Sequence, residues 1–158
     1  MSKSKKPRRS YDPSRWLRQV MEGQQRRQEA APLGTGQAID IGIACNLSLE
    51  RMRQGGDESS WHTLAQALNL SLVLCEQGIG PEYEASIIAG QEALVRIQTR
   101  RAKTGSWAMD AEARQAIERS IDVHEAHLAS CTQGEIRRAI GIVNRRMAAG
   151  QVFEVAEC

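Results

Sequence analysis

The chain has 158 residues, of which 41% are hydrophobic, 25% charged and only 4% aromatic, an ordinary composition for one domain, or one domain with a tail. Its net charge of +2 conceals a split at Pro32: residues 1–30 carry nine Lys or Arg against three acids, a local +6, and the rest carries twelve against sixteen, a net of −4. No apolar run approaches the roughly 20 residues of a membrane span, no apolar stretch follows the basic start as in a secretory signal, and the four cysteines form no CxxC pair, so a cytoplasmic protein with free thiols is expected.

Residues 1–10 (MSKSKKPRRS) are polar, basic and proline-containing, the composition of a disordered segment. Asp12 and Pro13 open a first helix as cap and first-turn residue, which runs to about Ala30 with its apolar residues Trp16, Leu17, Val20 and Met21 in the first half. Its polar second half, from Gly23 to Glu29, has little with which to dock. After the break at residues 31–36, a second helix is predicted over Gln37–Gln54, with Ile39, Ile43, Leu47 and Met52 on its apolar side and Gly55-Gly56 ending it.

From Ser59 the periodicity strengthens. Trp61, Leu64, Leu68, Leu72 and Cys75 fall within an arc of roughly 80° at helical spacing. Leu70 and Leu74 cover another side, so this helix is expected at the centre of the fold. Gly78-Ile79-Gly80-Pro81 stops it and starts the next, and so short a link implies antiparallel packing. The following helix is predicted over residues 81–102, with Tyr83, Ile87, Leu94 and Ile97 on one face and Gly90 allowing close approach. Another begins near Asp110, reaches about Ser130, and aligns Ala113, Ile117, Ile121, His124, Leu128 and Cys131. Thr132-x-x-Glu135 is a capping box, with Cys131 and Ile136 at the staple positions. The last helix places Ile136, Ile140, Val143 and Met147 on one face and ends near Gly150. In the short tail, Val152, Phe153 and Val155 are suited to covering a core edge.

Constellations for chemistry are few. His124, His127 and Cys131 share a helix at spacings of 3 and 4 and are a weak metal candidate, because imidazole and thiolate suit zinc but no second pair of ligands follows. A histidine on an apolar face is more simply a hydrogen-bonded core residue. Glu-x-x-His, which a di-iron bundle requires, does not occur, nor do GxSxG or GxxxxGK[ST]. No enzyme activity, metal or cofactor is therefore expected. Basic residues cluster at Arg96, Arg100, Arg101 and Lys103, and again at Arg137, Arg138, Arg145 and Arg146. Cations near helix C-termini complement the helix dipole, and that reading is favoured for both clusters. The N-terminal arm is denser: Lys3, Lys5, Lys6, Arg8, Arg9, Arg15, Arg18, Arg26 and Arg27, with Tyr11 and Trp16 interleaved, form the candidate nucleic-acid contact, non-specific and salt-dependent.

The pattern Trp61-x-x-Leu64-Ala65-x-Ala67-Leu68-Asn69, then Gly78-Ile79-Gly80, Thr104-Gly105-x-Trp107 and Val123-His124 resembles small uncharacterised helical proteins of proteobacterial prophages and mobile elements. The resemblance covers residues 59–149 or so, implies a mobile-element context and carries over no catalytic residue.

The expectation is an all-α protein: a basic, partly disordered arm and helix over residues 1–31, then a single antiparallel helical bundle over residues 32–158 with its core in 59–149. Its expected role is that of a non-enzymatic accessory protein holding DNA or RNA through the arm, with the bundle as a surface for a protein partner or for self-association. The alternative is a protein-binding module or inhibitor of a host protein with no nucleic-acid role. A metal-binding bundle ranks third.

Overall fold

The structure, a computed structural model, describes residues 13–150 and, for side chains, residues from Leu17 onward. Six α-helices and no strand occur among the described residues: α1 (Pro13–Ala30), α2 (Thr35–Arg53), α3 (Glu58–Glu76), α4 (Glu84–Thr104), α5 (Ala111–Ser130) and α6 (Gln133–Ala148). The all-α bundle expected from the periodicity is the fold observed. The expected disorder of residues 1–10 and the expected role of the tail lie outside the described residues.

Capping sets the starts. Asp57 accepts a hydrogen bond from Ser60 N at 2.7 Å and Asp110 one from Ala113 N at 2.8 Å. Thr132 and Glu135 form the reciprocal capping box read from the sequence. Between α3 and α4, Gly78 takes a left-handed conformation, φ 86°, which a Cβ would disfavour. The residues after it form one 3₁₀ turn over Pro81–Tyr83 rather than the first turn of α4. Tyr83, expected on the buried face, is exposed on that turn.

Central position falls to α3, which packs against α2, α4, α5 and α6. Trp61, Leu64, Leu68 and Leu74 on it are fully buried, each worth about 1.5–3 kcal/mol of burial relative to exposure. One cluster joins α3 to α2, α4 and α5; a second, around Val73, Leu74, Leu128, Ile136 and Val143, seats α6. At Gly90 a Cβ would stand 2.1 Å from Ser120 Oγ, so α4 and α5 approach where neither carries bulk. Two polar contacts inside are matched pairs: Trp61 Nε1 donates to Leu94 O at 2.9 Å, and Gln91 Nε2 to Asn69 Oδ1 at 3.0 Å.

Two helix faces differ from expectation. In α2 the buried stripe is Cys45, Ser48, Leu49 and Met52, whereas Ile39, Ile43 and Leu47 are 54%, 52% and 56% exposed. Polar contacts to α5 accompany this orientation: Asn46 Nδ2 donates to Glu125 Oε1 at 2.6 Å, and Arg53 pairs with Glu118. Thus α2 is less peripheral than expected and feeds three residues to the core. In α6, Ile136 and Val143 are buried but Ile140 is 44% exposed, with Ala139 taking the buried place.

Candidate functional site

The polar end of α1, expected to have nothing to dock with, is fastened to the start of α6. Gln133 N donates to Ala31 O at 2.9 Å, and Gln133 Nε2 donates to Pro32 O at 3.3 Å. Gly134 is the seat: a Cβ there would lie 3.0 Å from both Glu29 Cβ and Glu29 O. α6 opens with glycine in its first turn, so the backbone of α1 comes down onto it. Farther back along α1, Leu17 and Met21 are exposed.

This junction joins two basic regions that are far apart in sequence. Arg26 and Arg27 lie exposed in the last turns of α1, and Arg137, Arg138 and Arg145 lie exposed along α6. The three α6 arginines, with Glu29, Gln77 and Gly134, line a groove of about 470 Å³. None of these three forms an ion pair among the described residues; Arg26 lies 3.7 Å from Glu22, and Arg146 is held by Glu76 at 2.5 Å. Such exposed pairs are weak, so the groove wall keeps a positive potential suited to phosphate oxygens. Of the residues named from the sequence, Arg18, Arg26 and Arg27 fall on the described part of α1; Lys3, Lys5, Lys6, Arg8 and Arg9, and the side chain of Arg15, lie outside the described residues.

The second basic cluster serves the fold. Arg100 donates to Ala108 O and to Asp110 Oδ2, both at 2.9 Å, and Arg101 lies 5.3 Å over the ring of Trp107. Arg96 reaches Glu112 at 4.0 Å.

The helix carrying His124, His127 and Cys131 does not gather them into one ligand set, and no group of three or more His, Cys, Asp or Glu is placed to hold a metal among the described residues. His124 Nδ1 lies 2.8 Å from Ser71 Oγ, and His127 Nε2 lies 3.8 Å from the sulfur of Cys75 on α3. Cys131 is buried in the cluster that seats α6. The His127–Cys75 pair is 52 residues apart and has no local signature. It is not an activated nucleophile: burial first, then Glu84, Glu82 and Glu76, raise the Cys75 thiol, which donates to Gly80 O at 3.2 Å. Burial also lowers His127, an effect opposed by the Ile79 backbone and Glu82. Burial, with His127 nearby, lowers His124 from 6.5 to about 4, so it is neutral at physiological pH.

No helix among the described residues is long and apolar enough to cross a membrane. In comparisons with protein-family models, with curated proteins and with solved structures, nothing matches this chain.

Proposed function

We propose that the chain is a non-enzymatic accessory protein that holds nucleic acid on a basic surface made of its N-terminal arm, α1 and the outer side of α6. The observation that carries this reading is the fastening of Glu29 and Ala31 to Gln133 and Gly134. It brings the end of α1, which carries Arg26 and Arg27, onto the start of α6, which carries Arg137 and Arg138. The guanidinium groups of Arg137, Arg138 and Arg145, without carboxylate partners among the described residues and spread along a groove rather than converging on a point, suit a repeating phosphate backbone and carry no base-reading geometry. The expected binding is non-specific and steeply salt-dependent.

The test is fluorescence anisotropy with labelled duplex DNA and single-stranded RNA at several salt concentrations, on the full chain and two variants. Replacing Arg137, Arg138 and Arg145 together by Gln lowers the slope of log affinity against log salt by about 0.9 per lost duplex phosphate contact. Replacing Lys5, Lys6, Arg8 and Arg9 by Gln does the same. Absence of binding at low salt, or binding insensitive to both variants, refutes the proposal.

A second reading, a protein-binding module, is favoured by the outward Ile39, Ile43 and Leu47 of α2 and by the exposed Leu17 and Met21 of α1. Under it, Ile43→Glu abolishes self-association or partner capture in sedimentation experiments, and nucleic acid is not bound.

A further inference from the structure

A cavity of about 380 Å³ lies between α2, α3, α5 and α6, open at one side. Ile41, Cys45, Leu70, Ile140 and Met147 supply much of its wall, and no Asp, Glu, Lys or Arg lines it. One polar ring does: His124, buried to 1% exposure on α5. Its Nδ1 is engaged by Ser71 Oγ at 2.8 Å, whereas its Nε2 is buried without a hydrogen-bond partner. Giving the Ser71 hydroxyl hydrogen to Nδ1 leaves the fewest unpaired groups, and on that ground the imidazole proton is assigned to Nε2. The result is a largely apolar chamber whose lining includes the uncharged polar residues Thr63, Gln66 and Asn144 and one histidine with a buried, unsatisfied ring nitrogen. A few placed polar groups in a mostly apolar pocket are the usual means of orienting a small ligand, and of those here the His124 donor is the one buried without a partner, which is costly until something bonds it.

We infer that this cavity binds a neutral, largely apolar small molecule whose single carbonyl-type oxygen accepts a hydrogen bond from His124 Nε2. The walls offer no cation to hold a carboxylate or phosphate. His124 does not supply one either, since desolvation, together with His127, keeps it neutral above about pH 4. Cys45 also lines the chamber, but burial, aided by Glu125, raises its thiol to about 11. The ligand is therefore held without a bond to sulfur. The site is independent of the basic surface on α1 and α6, and either assignment stands if the other fails.

The test uses two probes of matched shape, 2-acetylnaphthalene and 2-isopropylnaphthalene, titrated into the full-length chain carrying 15N-labelled histidine. The ketone is expected to bind at a single saturable site at least tenfold more tightly than the hydrocarbon and to move the His124 Nε2 resonance, which the hydrocarbon leaves in place. Ala44 is exposed on the cavity wall, so Ala44→Trp fills the chamber while keeping helical content and melting temperature, and both probes are then lost. Equal affinity for the two probes, binding that survives Ala44→Trp, or no saturable binding of either probe overturns the inference.

Discussion

Helices α4 and α1 are fastened to the molecule in opposite ways. α4 lies along α5 over much of its length, buries Ile87, Leu94 and Ile97, and closes on Ser120 through Gly90. α1 is held just past its end by two hydrogen bonds from Gln133 and at Glu29 by one glycine seat, while its own apolar residues Leu17 and Met21 are exposed. The difference shows what secures a helix here. α4 is secured by apolar side chains and by a close approach at Gly90, whereas among the described residues of α1 the close approach is the one at Gly134. α2 stands between the two, with one face in the core and a bulkier apolar face outside.

The comparison breaks most sharply at Leu68, which is fully buried between the α3 and α4 surfaces. Leu68→Ala is expected to cost about 3–4 kcal/mol in urea unfolding; a loss below about 1 kcal/mol would mean the centre is loosely packed.

Next in size is an acid effect on the same packed region. An unfolded histidine titrates near 6.5 and buried His124 near about 4. Below pH 6.5 the unfolded chain therefore binds the extra proton, and stability declines until about pH 4, where the difference is complete. The whole loss is about 3 kcal/mol. His124→Asn, which keeps a polar partner for Ser71 but does not titrate, should flatten the stability curve between pH 7 and pH 4.

Gly90→Ala puts a Cβ 2.8 Å from Ser120 Cβ as well as against its hydroxyl, and is expected to cost about 2 kcal/mol. Adding Ser120→Gly should restore part of that loss, since it removes both contacts. At the weaker junction, Gly134→Val should release α1 without unfolding the bundle. Hydrogen exchange over residues 17–30 rises, and global stability falls by about 1 kcal/mol or less. Smallest of all, Ile43→Ala on the outer face of α2 should change monomer stability by no more than about 0.5 kcal/mol. A larger loss would show that this face is covered in solution.

Much of the fold was legible along the chain because it depends on neighbours in sequence. The capping box at Thr132 and Glu135, the stop at Gly78, the inward line of α5 from Ala113 to Cys131 and the central place of α3 are all local in origin. Helical periodicity failed at α2, where Ile39, Ile43 and Leu47 outweigh the mixed stripe of Cys45, Ser48, Leu49 and Met52 in hydropathy. That helix instead faces α3 and α5 through residues far away in sequence, with Asn46 and Arg53 reaching Glu125 and Glu118, 79 and 65 residues away. Of the candidate surface, the basic character of the arm and of α6 was plain from composition. Their junction at Gly134 was not, because glycine in a first helical turn looks the same whether or not a second backbone rests on it. The chain by itself determined which segments become helices and where they begin and end, since capping, glycine stops and periodicity act within a few residues. Only the tertiary structure decided which apolar stripes go inside, which arginines are neutralised, and where a gap is left beside His124, because these depend on volumes and charges contributed from distant parts of the chain.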